Sequence, residues 1–154
     1  PGIDDLFIRS MPLGSVRHTE RHLKHGLPPA AAMRALSEDV RRTVEEGIAG
    51  RHVVRLIGVA GSVTQLVALE LELNPYDPQR VDGYRLPLAR IETWIDRLAT
   101  MTPEARRALP GMVPARAETV PAGSVVLRET LRALDLTEVM ASEYDSLWGA
   151  LDFP

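Results

Sequence analysis

The sequence has no cysteine. That removes disulfides, cysteine-ligated zinc and thiol nucleophiles from consideration, and it fits a cytoplasmic protein, which is the expectation here. Aromatic residues are scarce, at 5%, so a core has to be built from Leu, Val, Ile and Ala. Long apolar runs are missing as well. The longest uncharged stretch, Leu56–Leu69, contains Gly, Ser, Thr and Gln and falls short of the ~20 residues needed to span a bilayer. No signal peptide is visible. Nor is there an excess of positive charge: the net charge is -3 and the pI about 5.8, which argues against nucleic-acid binding by bulk charge. Neither a membrane nor a nucleic acid is therefore expected as a partner.

What is present is ordinary for a soluble globular chain. The 154 residues suit one domain with a real core, with 45% apolar and 25% charged residues. Charge is uneven. Residues 1–55 carry nine Lys/Arg against seven Asp/Glu and all four His, whereas residues 56–154 carry nine against fourteen. The chain opens Pro1-Gly2 rather than with Met, so a piece of a longer protein is expected.

The stretch His52–Leu73 organises the reading. A short β-branched run to Ile57 suits a buried central strand over His52–Ile57. The small-residue loop Gly58-Val59-Ala60-Gly61-Ser62 follows. Val63, Leu66, Val67, Glu70 and Leu73 then recur at helical steps over Val63–Leu73. Strand, glycine turn and helix is the layout in which open α/β sheets bind ligands. Glycine permits close backbone approach, Ser62 and Thr64 can donate hydrogen bonds, and the first free N–H groups of the helix attract anions. The loop is neither a Walker loop, because no Lys follows it, nor the dinucleotide fingerprint, because only G-x-x-G is present. A tight connection made of small residues is the plainer alternative.

Taken in order, Leu6–Met11 reads as a strand and Leu13–Arg17 as its bent continuation, with Thr19 capping a short helix through Lys24. A long helix is expected from Pro29 to about Gly47, with Met33, Leu36, Val40, Val44 and Ile48 on one face. Asn74–Pro78 is a break. Val81–Leu86 reads as extended, and Leu88–Thr100 as a helix facing inward through Ile91, Trp94, Ile95 and Leu98. Thr102 and Pro103 start a short helix that Leu109-Pro110-Gly111 ends. A further helix lies within Glu118–Leu134, burying Val125, Val126, Leu131 and Leu134. Thr137–Ser142 is a second central strand, and Asp145–Phe153 turns back through Gly149. The plan is α/β with a small, mostly parallel sheet.

Several stretches together resemble one family. They are Leu13-Gly14-x-Val16-Arg17-x-Thr19-Glu20, Gly58-x-x-Gly61-Ser62, Tyr76-Asp77-Pro78-x-x-Val81-x-Gly83-Tyr84-x-Leu86, Met101-Thr102, Pro110-Gly111-Met112-x-Pro114-x-Arg116-Ala117, Ala122-Gly123, and Ser142-Glu143-x-Asp145-x-Leu147-x-Gly149. In this order they resemble the Ppx/GppA phosphatases, the exopolyphosphatases and guanosine pentaphosphate phosphohydrolases. The resemblance implies a ribonuclease H-like domain of the actin/sugar-kinase/Hsp70 superfamily: an α/β unit with a small mixed sheet flanked by helices, here lacking its first two strands. All of residues 1–154 would be a partial second domain. The family's D-x-G-G-G-S-x-E phosphate turn and its catalytic Glu have no counterpart in this sequence, so no catalytic residue is assigned. Mg²⁺ is implied as cofactor without ligands in this chain. Missing strands would leave an open sheet edge, which invites pairing, and a homodimer is expected.

The implied activity is release of terminal phosphate from inorganic polyphosphate by the intact protein, with this piece alone inactive. Guanosine pentaphosphate hydrolysis is the close alternative. A non-catalytic module that binds polyphosphate or guanosine tetraphosphate, or that dimerises, is the alternative from another class. The substrate-binding candidates are Gly58, Gly61, Ser62, Thr64, Arg116 and Arg17. Arg116 corresponds to an Arg that the resemblance places on substrate phosphate, and its fork suits phosphate oxygens; a surface pair with Glu118 is the plainer reading. Arg17 would add positive potential, although an Arg17–Glu20 ion pair is preferred. At Asp82 many relatives have His, and Ser62 replaces their usual Thr. His18, His22 and His25 share a helical face with zinc-compatible spacing, but a solvated basic face is preferred. Glu143 and Asp145 alternate at a strand end, where a cap is preferred to a Mg²⁺ site. Trp94, Trp148 and Met112 are assigned to the core.

Overall fold

In the computed structural model, which describes residues 7–23, 26–48 and 50–144, the elements in chain order are α1 (Ser15–His22), α2 (Ala30–Ile48), β1 (Ile57–Val59), α3 (Gly61–Glu70), α4 (Pro78–Val81), β2 (Arg85–Pro87), α5 (Leu88–Ala99), α6 (Pro103–Arg107), α7 (Val120–Ala133) and β3 (Glu138–Ser142). The helices form where apolar residues recur at three- and four-residue steps. In α2, Leu36, Val40 and Val44 are wholly buried, and in α5 Ile91, Trp94, Ile95 and Leu98 turn inward. Each fully buried aliphatic side chain contributes roughly 1.5–3 kcal/mol. Met112 joins Trp94 in the core, as expected; Trp148, Asp145 and the C-terminal turn lie outside the described residues.

The hub is α7. It packs against α1, α2, α3 and α5, and every residue from Val120 to Val125 is buried. Of the four residues expected to be buried here, Val125 and Leu131 are, whereas Val126 only packs partly buried against the core and Leu134, just past the end of α7, is also only partly buried. The sheet is small and mixed, in the order β1-β3-β2. β3 runs parallel to β1, with Met140 beside Ile57, and antiparallel to β2, with Val139 beside Leu86. α3 and α5 contact both the sheet and α7.

Four expectations change. His52–Ile57 is not a central strand: the ladder begins at Ile57, runs three residues and forms the sheet's edge, while β3 is the centre. A residue is in a strand only where a partner backbone lies beside it: Met140 N still donates to Leu56 O at 3.0 Å, but pairing begins at Ile57, although β3 itself starts at Glu138. The same reason removes the strand at Leu6–Met11, where no ladder forms among the described residues 7–11. That segment is fixed by side chains instead, with Met11 against Gly47 and the Arg51 guanidinium 3.6 Å over the Phe7 ring. Leu13–Arg17 does not continue a strand, because α1 opens at Ser15. Thr19 lies inside that helix, its buried hydroxyl unpartnered, and caps nothing. Finally, Val81–Leu86 is only partly extended. Asp77 accepts from Gln79 N at 3.0 Å and caps the short α4, so β2 starts at Arg85.

Candidate functional site

Three helices begin at one place. Ser15 of α1, Gly61 and Ser62 of α3, and Val120 of α7 line a single cavity of about 340 Å³, together with Gln65, Arg116 and Thr119. The residues that precede these helices, Gly14, Ala60 and Thr119, give no side-chain cap hydrogen bond. First-turn N–H groups are therefore left over at three helix starts, whose dipoles favour an anion. The sequence permits the convergence through Gly123. A Cβ there would stand 2.7 Å from Ser62 Oγ and 3.4 Å from Ser15 Cβ, so only glycine lets α7 come this close.

The turn entering α3 uses its glycines differently from what the motif suggests. The residue on the left-handed side is Ala60, at φ 61° and ψ -171°, a region comfortable for glycine alone. Gly58 and Gly61 instead provide clearance. A Cβ on Gly58 would meet Val139 and Val63 at 3.1 Å, and one on Gly61 would run into the Arg116 guanidinium.

Arg116 ends a single 3₁₀ turn, Pro114–Arg116, and its Nη1 donates to the Gly61 carbonyl. Arg116 also lines a second cavity of about 360 Å³, together with Ala60, Thr64, Tyr76, Val113, Ser142 and Glu143 and with Gly61 and Gln65, which the two cavities share. Tyr76 donates its hydroxyl to Glu143 Oε1 at 2.5 Å. Partial burial, and then the Glu143 carboxylate, push the Tyr76 phenol up to about 12. Asp82 closes this end of β3: its Oδ1 accepts from Ser142 Oγ at 3.2 Å and from Glu143 N at 3.0 Å.

The 111–117 segment that carries Arg116 is held from both sides by buried polar side chains. Gln65, 2% exposed, donates from Nε2 to Gly111 O at 2.8 Å and accepts from Val113 N at 3.0 Å. Arg106, also 2% exposed, donates from Nε to Leu98 O at 3.0 Å and from Nη1 to Ala117 O at 3.2 Å, while its Nη2 has no partner. Burial lowers the Arg106 pKa.

Of the residues singled out from the sequence, Gly61, Ser62 and Arg116 share the first cavity, and Thr64 lines the second, its hydroxyl donating to Ala60 O at 3.3 Å. Gly58 and Arg17 line neither. Glu118 pairs with Arg107, at 2.9 Å, rather than with Arg116. No Arg17–Glu20 ion pair forms among the described residues; both side chains face solvent. His18 is buried, its Nδ1 2.9 Å from Gly14 O, and His22 Nε2 lies 2.8 Å from Asp39 Oδ2. His25 lies outside the described residues, which contain no group of three or more His, Asp or Glu placed to hold a metal. The two cavities also hold Gln65, Tyr76 and the starts of α1 and α7, none of which is a candidate site residue from the sequence. Gln65 carried one signal: a lone amide in the run Val63–Leu69 has to be paired if that run is buried.

The small mixed sheet is flanked by helices, and the structural neighbours of the molecule place it in the actin-like ATPase class of folds. A Ppx/GppA phosphatase from Aquifex aeolicus superposes with a TM-score of 0.89 at 26% identity, over 95% of this chain and 48% of that one. An exopolyphosphatase-like protein superposes with a TM-score of 0.84 at 33% identity, over 94% and 49%. In sequence, exopolyphosphatase 2 of Mycobacterium tuberculosis is 34% identical over 152 residues, 91% of this chain and 46% of the relative. A model of the Ppx/GppA phosphatase family matches residues 5–151. The chain belongs to the Ppx/GppA phosphatase family, and it spans about half the length of the relatives it matches.

Proposed function

We propose that this chain forms the phosphate-cradling part of an exopolyphosphatase, which releases terminal phosphate from inorganic polyphosphate in the intact protein. The observation that carries the reading is the convergence of three uncapped helix starts on one cavity with Arg116 in its wall. Such an arrangement offers fixed N–H dipoles and a bidentate cation to phosphoryl oxygens, which is what stabilises the charge spread over them during transfer. The similarity to exopolyphosphatase 2 supports polyphosphate as the chain-like substrate.

The resemblance also implies Mg²⁺. The donor set among the described residues does not fit it, since Glu143 and Asp82 are committed to Tyr76, Ser142 and the Glu143 amide and no third carboxylate joins them. The ion's ligands and the residue that activates water would come from elsewhere in the intact protein. No described helix is long and apolar enough to cross a membrane, and a cytoplasmic homodimer is part of the same reading.

The test is phosphate release by the intact protein from polyphosphate and from guanosine pentaphosphate, with wild type and Arg116→Ala. Faster release from polyphosphate, reduced by the substitution, is expected. A higher rate on guanosine pentaphosphate would transfer the reading to that substrate, and no release from either would leave a binding module.

A further inference from the structure

We propose that Gln65 and Arg106 are positioning residues that fix the Gly111–Ala117 turn so that Arg116 stands across the start of α3. The inference rests on the phosphate-binding reading of Arg116 and goes beyond it, to Gln65, which lines the cavity with both ends of its amide already bonded to backbone, and to Arg106, which lines neither cavity.

Gln65 sits one turn into α3, directly behind Gly61 and Ser62. Its amide is fully used: the carbonyl oxygen accepts from Val113 N and the NH₂ group donates to Gly111 O. It reads two backbone groups, two residues apart, at the entry to the turn. Gly111 adds to the fit, because at φ 81° its missing Cβ leaves room for the Ala68 carbonyl of the same helix. The entry to the turn is thereby registered against α3 itself, the helix whose first residues line the cavity.

Arg106 fastens the exit. Its guanidinium holds Ala117 O, one residue beyond Arg116, and ties it to Leu98 O at the end of α5. No carboxylate pairs with it among the described residues, and Nη2 goes unused. A buried cation with no carboxylate in direct contact is a costly fastener, and an apolar side chain of similar volume would often stabilise such a site as well or better. What the guanidinium supplies is a fixed position for one carbonyl. Between the two fasteners, Pro114–Arg116 closes as a 3₁₀ turn whose last residue donates to the Gly61 carbonyl.

A double-mutant cycle separates positioning from general support. In the intact protein, tripolyphosphate affinity is measured by calorimetry for wild type, Gln65→Met, Arg116→Ala and the double variant, and the Arg116 Nε–H resonance is followed without ligand. Arg116→Ala is expected to weaken binding about tenfold or more. Gln65→Met weakens it several-fold, adds nothing further in the Arg116→Ala background, and moves or broadens the Arg116 resonance. Arg106→Lys, which keeps the charge but can hold only one carbonyl, gives a smaller change of the same kind and serves if Gln65→Met does not fold.

An undiminished effect of Gln65→Met in the Arg116→Ala background overturns the proposal, as does an unmoved Arg116 resonance. If Arg116→Ala leaves tripolyphosphate affinity unchanged, the phosphate reading has failed. The resonance then decides the positioning claim alone, and its constancy overturns that claim too.

Discussion

The two ends of α3 are built to opposite specifications. At the tail, Glu70 accepts from Arg90 Nε and Nη2 at 2.9 and 3.0 Å and from Trp94 Nε1 at 2.8 Å, and the chain leaves through bonds from Leu71 N and Leu73 N back into the helix. Burial pushes the Glu70 pKa up, but the hydrogen bonds from Arg90 and Trp94 outweigh it and the net shift is downward. At the head, the preceding residue is a strained Ala60, no side chain caps the helix, and two cavities open. The tail supplies stability and the head holds unspent hydrogen-bonding capacity. α1 repeats the pattern: Ser15 faces the cavity, whereas Arg21 and His22 at the other end both bind Asp39 of α2.

If that division is right, substitutions at heads change ligand affinity and those at tails change folding stability. The largest effect is expected for Arg116→Ala, which lowers tripolyphosphate affinity in the intact protein roughly tenfold to hundredfold, the value of a charge-assisted contact, while calorimetric stability changes by less than about 1 kcal/mol. A comparable loss of stability would erase the distinction. Glu70→Ala should do the reverse: it strands Trp94 Nε1 and costs about 2 kcal/mol in denaturant unfolding, with affinity unchanged.

Asp39→Asn tests the tail of α1. Hydrogen bonds from His22, and then Arg21, hold the Asp39 carboxyl down to about 2 against an ordinary 3.8. Because the folded value is depressed, its contribution is complete above about pH 4 and is lost as pH falls towards 2. The stability gap between wild type and variant, roughly 1–2 kcal/mol at neutral pH, should therefore close over that window; a gap independent of pH counts against the ion pair.

Gly61→Ala is a smaller and sharper probe. The atoms nearest its Cβ are the far end of Arg116, which can move aside, so a three- to fivefold loss of affinity, about 1 kcal/mol, is expected with little change in melting temperature. Smallest of all is Ala60→Gly, the exception among the heads because it acts on backbone strain: it should raise stability by up to about 1 kcal/mol by relieving the positive φ, with affinity unaltered.

Much of the helical framework was legible in the sequence because it depends on local spacing: the buried stripe of α2 and the inward face of α5 lie where the period puts them. The strands were less so, because pairing is not local. Ile57 finds Met140 across most of the chain, and nothing near Phe7 announces that no ladder will form there. The small mixed sheet followed from the family resemblance rather than from the apolar pattern. In the site, Gly61, Ser62, Thr64 and Arg116 were visible through the glycine turn and the family motif. Gln65 was not, since its two partners lie 46 and 48 residues away. Ala60 was hidden for another reason: two neighbouring glycines made it natural to give them the unusual backbone, and the structure gives it to the alanine between them.

The two cavities share one guanidinium. Arg116 lines both, and its bond to the Gly61 carbonyl ties it to a residue that they also share. On the proposed phosphate reading, an anion long enough to enter both would meet this one side chain twice, and a lone phosphate would meet it once.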